Sequence, residues 1–405
     1  MEGPGFGNKF PKHRPTLHTQ HSTLNQYVPA RNNWRNLHSH AMATLQTLNR
    51  LIPFGKPKEY GTAENRLLIL RGRHLGRVAP ASAAPLAAAP VYDAESRTRE
   101  AVVMFDQNGK VLRTLNAPGN SFREIALSPK GNRLAYVLES SHEEHTTQLH
   151  VYDLRTQRSL PVAREALNVW PAFSRDGNLL AWVRRPDMLG ENKESPQQLV
   201  FHDVRNGDQH SLELNPGESA FSLRWSPVDN TLAFSITITG LYAGQPMFYR
   251  DLGVVSPEME IARLTTLGDV GRYAWSWSRD GQRMALVRNI ATDQGGRSGP
   301  AGIWFVDVKT KFTKLIATGE EITRLSIEGL SWHPSGKWLF LSGYDGPDRN
   351  LYRLDVSSGK IEHLTTDGRS EHGEFWPTAG RVVYIHNGKE ILTCRPDGSH
   401  RRQIF

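Results

Sequence analysis

The chain is nearly devoid of cysteine: Cys394 is the only one in 405 residues, which excludes an intramolecular disulfide. No apolar run approaches the length that a bilayer crossing needs. No Gly-x-Ser-x-Gly elbow occurs, so a hydrolase nucleophile of that type is missing. The glycines of GPGFGN at 3–8 open neither a strand nor a helix that would cradle a phosphate. Acidic residues are absent between Glu2 and Glu59, and residues 1–78 carry 12 Lys or Arg against 3 Asp or Glu. The formal charge of +8 therefore sits almost wholly in the first fifth of the chain. TLHTQHSTLNQYVPARNNW, behind the first basic residues, is too polar for the apolar part of a secretory leader, so a cytoplasmic location is expected.

What the chain does have is one short phrase, repeated. FSRDGNLLAW (173–182) returns as LSPKGNRLAY (127–136), WSPVDNTLAF (225–234), WSRDGQRMAL (277–286), WHPSGKWLFL (332–341) and a worn FWPTAGRVVY (375–384). Counted from Ser128, Ser174, Ser226, Ser278, His333 and Trp376, the intervals are 46, 52, 52, 55 and 43 residues. A period near fifty marks a repeat architecture. Each phrase is a tight turn between two runs rich in aromatic and β-branched residues, with Gly177 and Gly281, or Asn230, suited to a left-handed backbone. A second pair of strand-like runs follows each phrase, and Asp153, Asp203, Asp307 and Asp355 close the third strand, where a carboxylate can bond turn amides locally. One repeat is thus a four-stranded antiparallel unit, the size of a propeller blade. The predicted fold is all-β, a β-propeller of six or seven blades over residues 63–405. The runs at 66–74, 101–109 and 111–115 would belong to a seventh. The Ala- and Pro-rich stretch 79–92 reads either as a linker or as part of a closing blade.

Along the strand entering each turn, a mostly small set two residues before the turn (Ala126, Ala172, Arg224, Ser276, Ser331) alternates with a large one (Leu127, Phe173, Trp225, Trp277, Trp332). Alternation puts the two sets on opposite faces, the large set packing between blades and the upstream positions reaching the channel end.

An aromatic-Ser-Pro-Asp-Gly turn followed by a Leu-Ala-aromatic strand resembles the repeat of the TolB-like propeller family, over roughly residues 120–405. The resemblance implies a propeller and leaves the activity open, since such blades occur in periplasmic TolB, in the accessory domain of prolyl oligopeptidase-like enzymes and in some polysaccharide lyases. It also implies a periplasmic location as the alternative.

Residues 1–62 are read as a basic N-terminal arm. Within it, residues 31–52 space Trp34, Leu37, Met42, Leu45, Leu48 and Leu51 for one amphipathic helix. Arg31, Trp34, Arg35, Leu45, Leu48 and Arg50 would dock an acidic partner surface: a protein first, with nucleic acid or an anionic membrane surface as alternatives. No cofactor or metal site is expected, because the histidines of SHEEH (141–145) stand three apart in a loop rather than four apart on a helix. Any site of the propeller should lie at the channel mouth, where alignment places Asn168, Trp170, Ser219, Arg272, Tyr273, Glu328, Glu371 and His372. Glu371 with His372 is the one acid/base-like pair among these. The expectation is a non-enzymatic scaffold for protein–protein interaction, a subunit of a larger complex; the alternative is a hydrolase or lyase with its active site at the channel mouth.

Overall fold

All six repeated phrases are turns joining the first and second strands of an antiparallel pair. The reason is legible in Ser174: its backbone N–H donates to the Leu179 carbonyl at 2.9 Å, and its Oγ accepts the Leu179 N–H at 2.9 Å. The same hydroxyl donates to Asp176 at 2.6 Å, and Gly177, at φ 75°, returns its N–H to the Ser174 carbonyl. Ser278, Asp280 and Gly281 repeat the arrangement. Asn230 does not take the left-handed backbone expected of it, since it stands four residues after Ser226, whereas Gly177 stands three after Ser174.

The computed structural model describes residues 73–405 except 76, 94–98, 100, 118–119, 141–145, 186–194, 243–244, 267 and 292–296. The basic arm, with Arg31, Trp34, Arg35, Leu45, Leu48 and Arg50, and the SHEEH run therefore lie outside the described residues. Residues 65–405 belong to one unit, built of six antiparallel sheets with five, seven, four, four, four and four strands. Helix is almost absent, the described residues containing only the four-residue Glu320–Thr323. The seven-stranded sheet owes its width to Arg158–Phe173: its first half pairs with Thr147–Asp153, and its second half with Leu179–Arg185. The fold is a β-propeller, its sheets packed face to face around a channel.

Every sheet is covered on both faces, so its central strands are buried along their length. The Ala-rich stretch left open between linker and blade is a strand, Leu86–Asp93. Ala87 and Ala89 face Phe105 and Trp376, whereas Leu86 and Ala88 face Phe122 and Tyr136. Small side chains there let two neighbouring sheets approach. The large set packs between sheets as expected. The Trp225 indole donates to the Ala172 carbonyl at 2.9 Å, and the Trp277 indole to the Arg224 carbonyl at 3.1 Å. The first and last sheets share no strand among the described residues. They close on each other through an apolar cluster centred on Phe105, Trp376 and Ile385, and through Thr378, whose hydroxyl donates to the Ala84 carbonyl. The carboxylates that close third strands are local devices: Asp153, Asp203, Asp307 and Asp355 each accept turn amides.

Candidate active site

The strands that line the channel are Asn120–Leu127, the second half of Arg158–Phe173, Glu218–Trp225, Val270–Trp277, Ser326–Trp332 and Ser370–Trp376. Each loses register against its neighbour once, at corresponding places. Such a bulge bends the strand and re-aims a side chain. Four residues before the turn stand Glu124, Trp170, Ser222 and His372, and all four line the channel. Trp170, Ser222 and His372 hold φ of 61°, 55° and 54°, a left-handed backbone that costs a non-glycine residue of order 1–3 kcal/mol. In the two remaining strands Tyr273 and Glu328, beside the equivalent Ala274 and Gly329, turn inward.

The channel encloses about 2220 Å³. Its lining includes eight arginines, five glutamates and one histidine, and neither lysine nor aspartate. Three arginines are paired: Arg77 with Glu374 at 3.1 Å, Arg123 with Glu139 at 3.0 Å, and Arg349 with Glu371. Glu124 makes no such ion pair among the described residues. It accepts the Trp170 backbone N–H, and burial pushes its carboxyl up to about 7 against the pull of that amide and of Arg123, Arg99 and Arg185. Burial also lifts Glu328, opposed by a hydrogen bond from Tyr344 and by Arg349. His372 moves the other way: burial lowers it, Arg77 adds to this, and Glu371 opposes. Arg99 acts on both Glu124 and His372. It is fixed by its N–H to the Ser121 hydroxyl at 3.0 Å, by its carbonyl to the Phe122 N–H at 2.8 Å, and by its guanidinium to the Arg123 carbonyl.

The arrangement therefore offers one carboxyl that keeps its proton near neutrality, one imidazole that is neutral there, and a field of guanidiniums. It can give a proton and take a proton within one cationic channel. Trp170 and Tyr273, their ring centroids 5.6 Å apart, form an aromatic wall beside it.

Of the residues assigned to the mouth from sequence, Trp170, Tyr273, Glu328, Glu371 and His372 line the channel together. Asn168 does not. It is fully buried, donates to the Thr147 and Ala166 carbonyls and accepts the Trp182 indole N–H at 3.0 Å, so it is a strut between strands. Ser219 is held by Gln197 at 2.8 Å. The backbone of Arg272 lies in its inner strand, and its side chain is outside the described residues. Glu124 and Arg99 were missed. Glu124 was open to discovery, standing four residues before Ser128 as Trp170 stands before Ser174; Arg99 lies between the strands Leu86–Asp93 and Ala101–Asp106 of the one sheet without the repeated phrase.

No protein-family model and no curated protein matches the chain. Solved structures do. The propeller domain of the Trilobed protease from Pyrococcus furiosus, described as having an open velcro topology, matches 83% of this chain and 98% of its own at 14% identity, with a TM-score of 0.59. An oligogalacturonate lyase in complex with manganese matches 78% of this chain and 87% of its own at 16% identity, TM-score 0.54. The acylaminoacyl peptidase from Pyrococcus horikoshii matches 82% of this chain at 16% identity, TM-score 0.54, and this chain spans about half (52%) of that protein. At such identities the likeness is one of fold. It nonetheless overturns the expectation of a non-enzymatic scaffold, because these neighbours are a lyase and peptidases or their domains, and the channel carries acid–base groups. A manganese ion does not fit this channel. Among the described residues no three His, Cys, Asp or Glu side chains gather to hold a cation, and His372 is surrounded by Arg77, Arg349 and Arg99. No helix among the described residues is long and apolar enough to cross a membrane.

Proposed function

We propose that the chain is an enzyme, a hydrolase or lyase, that cleaves a sugar polymer or peptide by acid–base chemistry in the central channel. The observation that carries this is the pairing of Glu124, held up to about 7, with a neutral His372 in the same arginine-lined wall. Burial inverts the usual order of the two groups, which suits a carboxyl that protonates a leaving group and an imidazole that accepts a proton.

In elimination, His372 takes the proton from the carbon beside a carboxylate, the C–O bond one carbon further breaks, and the leaving oxygen takes the Glu124 proton. In hydrolysis, His372 takes a proton from water as its oxygen bonds to the substrate, and Glu124 again protonates the leaving atom. A cationic wall stabilises the negative charge that develops in either case. Elimination is favoured by the likeness to the oligogalacturonate lyase, which extends over 87% of that protein, and by Trp170, a flat face on which a sugar ring can stack. The finer architecture in this reading is a ring of seven TolB-like units: six with the repeated turn and a first, residues 73–116, without it, Arg158–Phe173 serving as the outer strand of one and the inner strand of the next.

The test is product formation by the full chain from oligogalacturonate and, in parallel, from an N-acylated peptide. Glu124→Gln and His372→Asn are the variants, asparagine being tolerant of the left-handed backbone at 372. The expected result is cleavage of one substrate, reduced about 10²-fold or more in each variant. Cleavage of neither, or variants as active as the native chain, overturns the proposal.

A further inference from the structure

One guanidinium in the channel is out of keeping with its place. Two residues before the turn, the inner strands carry Ala126, Ala172, Ser276 and Ser331, and at the same level Arg224 and Glu374. Four short side chains leave room, and the long cation occupies it. Its guanidinium donates to the Trp275 carbonyl and lies 4.9 Å from the Trp275 ring centroid, so the next strand fixes its plane. Glu374, the carboxylate whose field reaches it, is bound to Arg77 at 3.1 Å. Two guanidiniums thus share one carboxylate, and no carboxylate among the described residues stands within ion-pair distance of Arg224 itself. Burial and then Arg77 push its pKa down to about 10, the sign of a charge lacking its counterpart.

We propose that Arg224, with Arg77 beside it, receives a carboxylate of the bound ligand, which makes the channel selective for anionic substrates. A planar guanidinium already stacked on an indole offers its remaining N–H groups as a fork that fits a carboxylate in two bonds, with little ordering left to do. The bound anion supplies the charge that the protein does not. The exclusive use of arginine in the lining points the same way, since lysine would give charge without the planar fit. The inference rests on the acid–base reading only in taking the bound carboxylate as part of a substrate.

The experiment is calorimetric titration of the full chain with trigalacturonate and with its methyl ester, which has the same rings without the charge. Arg224→Ala should fold, because Ala126 and Ala172 hold the equivalent positions in two other strands; a melting curve checks it, and Arg224→Lys keeps the charge without the fork. The charged trimer is expected to bind at least about tenfold tighter than the ester. R224A should abolish that difference and R224K restore part of it. Binding of the charged trimer by R224A as by the native chain, equal binding of acid and ester, or binding of neither overturns the proposal. The two readings separate cleanly. Arg224-dependent binding without cleavage leaves the subsite and removes the enzyme, whereas undiminished cleavage by R224A leaves the enzyme and removes the subsite.

Discussion

Glu124 shows how one carboxyl links fold and chemistry. It is raised from an ordinary 4.5 to about 7, with burial the largest cause. The folded state therefore holds its proton where the unfolded chain has released it. The stability it contributes is complete below pH 4.5 and is lost as pH rises through 7. Glu124→Gln, neutral at every pH, should flatten the decline in melting temperature between pH 5 and 7; thermal melts across that window check this, and an unchanged slope counts against a buried, protonated Glu124. His372 is pushed below its ordinary 6.5, by burial first, so it gives up its proton at a lower pH than a free imidazole does. The phase of the repeat carried enough information to find Glu124. It could not reveal the inversion of the two groups, which depends on how much protein surrounds each.

At the scale of the element, the turns were legible and the bulges were not. FSRDG announces its turn because each side chain has a local partner: Ser174 accepts the Leu179 N–H and donates to Asp176, and Gly177 supplies the left-handed corner. Ser174→Ala removes both hydroxyl bonds and should cost about 1–3 kcal/mol, measurable by urea unfolding. A loss under about 0.5 kcal/mol would mean that the glycine alone sets the corner. A bulge leaves no such signature. Strict alternation would put Glu371 and His372 on opposite faces, yet the register shift between Glu371 and Glu374 lets both line the channel. The same slip explains Asn168, expected at the mouth and buried instead against Thr147 and Trp182.

On the scale of the whole molecule, closure of the ring depends on the first and last sheets meeting without a shared strand. Gly109, at φ 82°, sits where an added Cβ would lie 1.6 Å from the Ile404 carbonyl oxygen. Gly207, at φ 86°, has nothing within 4 Å. Gly207→Ala should therefore show the conformational cost alone, about 1 kcal/mol, and Gly109→Ala at least about 2 kcal/mol more. Equal losses in paired denaturant titrations would show that the C-terminal strand does not seal the ring there. Phe105→Ala should cost about 3–5 kcal/mol by emptying the contact with Trp376. The propeller itself was readable from six phased turns, because a repeat must pack on its neighbours. Activity was not, because the same disc carries many chemistries and only the channel-lining residues of this one decide.

The central claim is that Glu124 and His372 work as acid and base in that channel, and its most direct measurement is the pH dependence of kcat/KM on the cleaved substrate, for the native chain and E124Q, from pH 5 to 9. The native profile is expected to fall above about pH 7 as Glu124 loses its proton and to fall at the acid end as His372 gains one. E124Q should be slow and without the alkaline limb. A native profile level through pH 7, or an E124Q enzyme that keeps both rate and limb, would contradict the account.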